Sequence, residues 1–323
     1  MRCLGTTLIA LICLAGASSA NAQLSTPPRA ITLVVTVAAG GGSDAVARLV
    51  ADRLQERLKQ PVVVENRAGA GGTLGVTSVA RAVPDGHTLL WLATSAAISK
   101  WLHKSATFDV VGDFAYVARV VAMPVLLVAH PSVAVNNARD LIAYAKANPG
   151  GRLSVGTPGV GSPHHLAAAM LNASAGIDLT HVPYRGTGPA LNDLLSGQIS
   201  MIWTAPPPIM PHVEAGRAKA LAIASPQRLA DYASVPTLSE SGLPGFSVEI
   251  WQGVAVPAQT PPEIVQRLGD DIRRIMQQPD VLQRLKALGA YPSYADSAAF
   301  RKIVSEDHER FGQVIRAAGI AAN

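Results

Sequence analysis

Cysteine is nearly absent from this chain: its 323 residues include two, Cys3 and Cys13, both near the start. Beyond them there is no disulfide framework, no thiol nucleophile and no thiolate to hold a metal. Aromatic residues make up 5% and charged residues 15% of the composition, and no basic run stands out. That pattern argues against a nucleic-acid partner, which needs clustered Lys and Arg. After residue 22 no apolar stretch approaches the ~20 residues that span a bilayer. Several catalytic signatures are missing too. No glycine turn runs into G-K-[ST], which disfavours a P-loop, and there is no G-x-S-x-G nucleophile elbow. His164 and His165 are adjacent without an H-E-x-x-H, which argues against a zinc protease. Gly69-Ala70-Gly71-Gly72 departs from a dinucleotide loop, because Leu74 stands where the third glycine belongs.

What is present begins with an export pattern. Residues 1–22 carry one charge, Arg2, then an apolar run from Leu8 to Ala15 and the A-x-A site Ala20-Asn21-Ala22. The pattern predicts a signal peptide cleaved after Ala22 and a periplasmic location. Both cysteines leave with it, which suits an oxidising compartment. Loss of Arg2 lowers Lys+Arg from 27 to 26, against 22 Asp+Glu.

Short β-branched runs then alternate with helical patterns, the mark of parallel sheets covered by helices. Ile31 to Val37 predicts a strand, and Val46, Leu49, Val50, Leu54 and Leu58 follow at helical spacing. Val62 to Glu65 and Thr88 to Ala93 predict two more strands, with a short helix, Leu74 to Ala82, between them. Tyr116 to Val121 and Val125 to Val128 are separated by Met123-Pro124, where proline interrupts a central strand, and a first crossover is expected there. A second set follows: helix Ala138 to Ala147, strand Leu153 to Val155, helix His164 to Ala173 and strand His181 to Tyr184. Helix Ala190 to Leu195 and strand Ile199 to Trp203 complete it. Ala220 to Ala224 reads as the return strand, and the Pro- and Ala-rich stretch from Ala205 to Gly216 as a loop. Thr260-Pro261-Pro262-Glu263 predicts a helix start with Thr260 as cap and Glu263 closing a capping box. Gly289 stops the next helix. A last helix puts Phe300, Ile303, Val304, Phe311, Val314 and Ile315 on one face. Trp91, Trp101, Trp203 and Trp251 read mainly as core.

Two glycine-rich turns, each between a strand and a helix, lie in opposite halves of the chain. They are Ala39-Gly40-Gly41-Gly42-Ser43-Asp44 and Gly156-Thr157-Pro158-Gly159-Val160-Gly161-Ser162. Glycine lets backbone N–H groups face a guest and the helix start adds partial positive charge, so each is a candidate anion seat. A tight strand-to-helix turn also uses glycine for purely structural reasons, and both readings stand on these residues alone. Asp44 is expected to cap its helix and leave the N–H groups from Gly40 to Ser43 for a guest. His164-His165 reads as a packing or capping pair, with His165 at the edge of the second seat.

Several longer motifs run through both halves. They include Val37-Ala38-Ala39-Gly40-Gly41-Gly42-Ser43-Asp44 with Ala47-Arg48, and Gln60-Pro61-Val62-Val63-Val64-Glu65-Asn66-Arg67. Pro84-Asp85-Gly86-His87-Thr88, Gly161-Ser162-Pro163-His164-His165, Tyr184-Arg185-Gly186-Thr187-Gly188 and Pro257-Ala258-Gln259-Thr260-Pro261 follow in order. Together they resemble the substrate-binding proteins of tripartite tricarboxylate transporters, the Bug receptor family, over essentially the whole mature chain. The resemblance implies an α/β, type II-like periplasmic binding protein fold of two doubly wound domains with a ligand cleft between them. Domain I would comprise 23–122 plus 225–323, and domain II 123–224. It also implies a monomeric non-enzyme without cofactor or metal, which delivers a small carboxylate to membrane permease subunits. Carried over residue by residue, the ligand site would hold Ala39 to Asp44, Thr94 and Ser95 as hydroxyl donors, and Gly156, Thr157, Gly159, Gly161, Ser162 and His165. Tyr184, Arg185 and Gly186 would line the second domain. The chain departs from the family at Thr36-Val37, where Pro-Phe is usual, which would widen the pocket. Arg185 stands where Lys is common and would grip a carboxylate with two parallel hydrogen bonds. Two readings from other classes stay open on the residues: a sensor subunit for a membrane kinase, and a secreted α/β enzyme whose glycine turn binds phosphate or cofactor.

Overall fold

The computed structural model describes residues 29–104, 106–149 and 153–321, so the expected signal peptide lies outside the described residues. Three strand–helix units open the chain. β1 (Ile31–Val35) leads to α1 (Gly42–Leu58), β2 (Val62–Asn66) to α2 (Thr73–Ala80), and β3 (Thr88–Ala93) to α3 (Thr94–Leu102). β2 and β3 both pair parallel with β1. Leu33, Val34 and Val35 are fully buried, as in a strand covered on both faces. Val46, Leu49, Val50 and Leu54 form the buried stripe of α1. β4 (Phe114–Pro124) ends this pass.

β5 (Leu126–Ala129) and α4 (Ala138–Ala147) begin the second layer. β6 (Ser154–Thr157) leads to α5 (Pro163–Ala175), β7 (Thr180–Pro183) to α6 (Thr187–Leu195), and β8 (Met201–Thr204) to α7 (Pro206–Glu214). β9 (Lys219–Ile223) pairs antiparallel with β5 at the sheet edge. β10 (Glu249–Pro257) then returns to the first sheet. α8 (Pro262–Ile275), α9 (Pro279–Ala287), β11 (Tyr291–Ala295) and α10 (Ser297–Ala317) follow. The sheets run β11-β4-β10-β3-β1-β2 and β7-β6-β8-β5-β9. Their parallel parts share one winding, third strand beside first beside second. One apolar cluster joins the two layers, because Phe300, Val304 and Phe311 of α10 belong with Leu166, Leu171 and Trp203 of the second layer.

Several expectations need correction. The stretch from Ala205 to Gly216 is helical: Pro206, Pro207 and Pro208 fill the first turn of α7, where N–H groups have no intrahelical acceptor to lose. The strand that re-enters the first sheet is β10, while Ala220 to Ala224 belongs to the edge strand of the second. Thr260 is not the cap of α8. Its N–H closes a turn onto Pro257, the helix begins one residue later from Pro261, and its buried Oγ1 has no partner among the described residues. Pro124 ends β4, and the chain changes sheets at Val125, where the crossover was expected. Gly289 adopts a φ of 69° just after α9, as a helix stop requires.

Gly253 hides β10 in the sequence, since it breaks the apolar run at the sheet's centre. A Cβ there would meet the carbonyl of Ala118 and fall 2.6 Å from Phe300 Cε1. Gly253→Ala is therefore expected to destabilise the fold by roughly 1–3 kcal/mol through overpacking. Urea denaturation checks this, and an unchanged midpoint would contradict so close an approach of β10 to β4 and α10.

Candidate functional site

Strand register decides which loops meet. In the first sheet Gln252 of β10 lies opposite both Ala93, the last residue of β3, and Val121, near the end of β4. In the second, Leu126 at the start of β5 lies opposite Thr204, the last residue of β8. The chain therefore crosses between sheets at the carboxyl ends of the parallel strands in both. Six helices, α1 to α3 and α5 to α7, start at those ends, the usual ligand position in wound α/β sheets. A chain of close approaches links the two glycine turns. A Cβ on Gly72 would fall 3.2 Å from Thr36 Cβ, one on Gly71 2.6 Å from His103 Nε2, and one on Gly161 would strike Leu102.

The first turn is built around Asp44. Its buried carboxylate accepts from Gly40 N–H at 2.9 Å, Arg48 Nε at 3.0 Å and Asn66 Nδ2 at 2.8 Å. Asn66 also ties the turn through Val37 O at 3.0 Å, and Arg48 reaches Asn66 Oδ1 at 2.8 Å. Burial pushes the Asp44 carboxyl up, but the bonds from Arg48, Gly40 and Asn66 outweigh it and hold the pKa below its ordinary 3.8. Gly40 needs glycine for its φ of 88°. Its N–H is taken by Asp44, which removes it from the donors expected for a guest. The N–H groups of Gly41, Gly42 and Ser43 have no acceptor among the described residues, and no side chain caps α1. Residues 39–42 are exposed. Ser43 Oγ accepts from Trp91 Nε1 at 3.2 Å, so its own proton points elsewhere.

The second turn is more self-contained. Ser162 caps α5 by accepting from His165 N–H at 3.2 Å and donates to Gly159 O at 2.8 Å. Gly161 N–H donates to His165 Nδ1 at 3.1 Å. That bond places the proton of neutral His165 on Nε2. His165 stacks on His181 with centroids 3.7 Å apart, and His181 Nε2 lies 2.6 Å from Thr157 Oγ1. Burial, and then the neighbouring His181, push the His165 pKa down to about 4. Gly156 is packed beneath Tyr184, where a Cβ would sit 3.2 Å from the ring. The N–H groups of Gly159 and Val160 are left without acceptors among the described residues.

The remaining expected residues divide the same way. Thr94 is fully buried and is no free hydroxyl donor: its Oγ1 accepts from Trp251 N–H at 2.8 Å and donates to Trp251 O at 3.1 Å, stapling α3 to β10. Ser95 is half-buried, and its hydroxyl has no partner among the described residues. Tyr184 donates to Asp193 at 2.8 Å; burial and then that bond push its pKa up to about 12. Arg185 is exposed, and Gly186 N–H bonds Pro158 O at 3.1 Å. Asn66, Arg48, Trp91 and His181 are structural parts of the two turns that no sequence pattern singled out. Asn66 and Arg48 lie inside the longer motifs, yet Asn66 braces a loop 22 residues away, which leaves no local periodicity.

Two sheets of one winding, joined by crossover strands with helix starts converging on the joint, define a bilobal solute-binding protein. The chain belongs to the tripartite tricarboxylate transporter receptor family, whose model, TctC, matches residues 46–320. A UPF0065 protein from the tcbD-tcbE intergenic region of Pseudomonas sp. (strain P51) is 36% identical over 290 residues, covering 90% of this chain and 86% of that one. BugT of Bordetella pertussis is 35% identical over 295 residues, covering 91% and 90%. Among solved structures, a TctC solute binding protein from Polaromonas superposes with a TM-score of 0.81 at 31% identity, over 91% of this chain and all of that one. Rpa4515 of R. palustris with adipate gives 0.75 at 31% over 92% and 100%, and MatC of Rhodopseudomonas palustris with bound malate 0.70 at 35% over 90% and 99%. The family and fold are those of receptors, not enzymes. No helix among the described residues is long and apolar enough to cross a membrane.

His165 carries a pH signature. Its folded pKa, about 4, lies below its ordinary 6.5, so folding favours the neutral ring. Its contribution is complete above pH 6.5 and is lost as pH falls through the folded value. Stability is thus expected to decline across that window, and His165→Gln, which keeps an acceptor for Gly161, to flatten the decline. Thermal melts from pH 7 to 4 check it; identical slopes would refute it.

Proposed function

We propose that this protein is a periplasmic receptor that captures a small organic carboxylate between its two lobes and delivers it to the membrane subunits of a tripartite tricarboxylate-type transporter. In this reading the lobes are 23–122 with 225–323, and 123–224. The observation that carries it is that the N–H groups of Gly41, Gly42 and Ser43 have no acceptor among the described residues, at the start of a 17-residue helix whose turn is braced by Asp44. Oriented N–H groups at a helix start favour an anion and leave its identity to the surrounding walls. The ligand-bound relatives hold malate and adipate, which supports the same ligand class.

The mechanism follows from dividing the donors between lobes. A carboxylate on the first turn would gain the donors of Gly159 and Val160, and the Arg185 guanidinium, only with the lobes together. Ligand then shifts the open and closed populations by its differential affinity for them. The closed shape is what a permease would read.

A thermal-shift screen of mono-, di- and tricarboxylates, nucleotides and sugars tests the reading. At least one carboxylate is expected to raise the melting temperature, and a response to nucleotide or sugar alone would overturn it. Gly42→Pro tests the donors. Gly41 already has the extended conformation that a following proline requires, and proline is favoured at a first helical position. Removing that one charge-assisted donor is expected to weaken carboxylate binding roughly 10- to 100-fold with little change in stability. Unaltered affinity would move the ligand away from the first turn.

A further inference from the structure

We propose that Arg310 is a positioning residue for lobe closure: from α10 it clamps the segment that returns to the first sheet and so limits how far the second lobe swings. The inference rests on the two-lobe reading above. The chain passes between the sheets at Val125 and again between β9 and β10, and the two passages are bonded side by side. Ala224 N–H donates to Val125 O at 2.8 Å, and Val248 N–H to Ala224 O at 2.8 Å. Next to Val248, the carbonyl of Ser247 accepts from Arg310 Nη1. Arg310 Nη2 donates to Asp307 Oδ1 one turn earlier on α10, and Asp307 Oδ2 accepts from Trp251 Nε1 at 2.7 Å. α10 is itself seated on the first sheet, because the Phe300 ring meets Tyr116 of β4 and Trp251 of β10 edge-on, each at 5.4 Å. One planar guanidinium thus ties a 21-residue helix of the first layer to the backbone that arrives from the second.

The surroundings of the clamp leave room for movement. A cavity of about 440 Å³ lies against it, walled by Arg119, Glu249, Trp251, Ile303 and Asp307 as well as by Arg310. Glu249 opens β10 opposite Pro124, the last residue of β4, so it stands where both passages meet the first sheet. Its half-buried carboxylate has no hydrogen-bond donor among the described residues. Arg119 Nη1 stays 3.7 Å away, and Arg119 Nε is committed to Ser293 O at 2.9 Å. Burial outweighs the nearby Arg119 and raises the Glu249 pKa, as expected of a carboxylate taken from water without a full partner. Open space and an incomplete ion pair leave the first residues of β10 free to rotate, whereas close packing would lock them. Arg310 is the fixed point of that rotation. Fewer lobe orientations then remain before a ligand arrives, so closure needs less ordering.

The chain after residue 22 has no cysteine, so a pair of spin labels can be introduced without competing thiols. Val63→Cys on β2 and Tyr144→Cys on α4, both exposed, place one label on each lobe of the ligand-free protein. Arg310→Lys keeps a charge beside Asp307 but gives up the fork, so its single Nζ releases Ser247 O. It is expected to broaden the distribution of distances between the labels. Amide exchange at Val248 should quicken roughly 10- to 100-fold, with exchange in β1 unchanged. Ile303→Trp fills the cavity and is expected to narrow the distribution. An unchanged distribution in Arg310→Lys overturns the proposal, and so does exchange that quickens equally throughout the chain, which would make Arg310 a general stabiliser. A distribution in Ile303→Trp as broad as the parent's overturns it as well, and that test stands even where Arg310→Lys fails to fold. No ligand enters these measurements. Broadening with no carboxylate response in the thermal-shift screen would keep the clamp and remove the carboxylate reading, and the converse would remove the clamp alone.

Discussion

The pairing of β10 with β3 and β4 is the constraint on which the rest of the molecule depends. It holds the ends of β3 and β4 level, so the chain leaves the first sheet where its parallel strands finish. The equivalent pairing of β5 with β8 does the same in the second sheet. Had either crossover left from the opposite end, one set of helix starts would face solvent, and the glycine turns would be unrelated. β10 is the most demanding strand to place because it must be thin at its centre, where Gly253 passes the Ala118 carbonyl and the ring of Phe300.

The two turns look alike in sequence and differ in physics. In the first, the turn's own Asp44 carboxylate and the Asn66 amide from outside it hold its shape, which leaves three successive N–H groups without an acceptor among the described residues. In the second, the turn holds itself through Ser162 and His165 and consumes two N–H groups in doing so. The first layer therefore carries most of the fixed donors and the second most of the shape. In the proposed site an anion would meet ready-made electrostatics on one side and a packed surface on the other, an arrangement that would separate affinity for charge from discrimination between bodies.

Much of this was legible from local pattern. The parallel strands, the helices that follow them, the change of sheets after Pro124 and the stop at Gly289 each rest on periodicity or on proline and glycine, whose effects are short-range. What escaped was set by distant partners. Proline-rich composition suggested a loop after Ala205, yet three prolines at a helix start are tolerated and the tertiary packing of Ile209 completes α7. Thr94 resembled a free hydroxyl until the backbone of Trp251, 157 positions away, proved to occupy it. Asn66 and His181 brace the turns across gaps of 22 and 24 positions. The glycines mark the two turns; which of their donors remain without an acceptor among the described residues depends on these remote bonds.

The indole of Trp91 has one more property. Its single N–H lies 3.0 Å from Gln252 Oε1 on β10 and 3.2 Å from Ser43 Oγ in the first turn. Gln252 sits on the strand that returns from the second sheet, and Ser43 is among the residues whose N–H faces outward. One buried ring is thus a common fastening for the segment that joins the layers and the first glycine turn. Neither can shift against the other without changing how that N–H is shared.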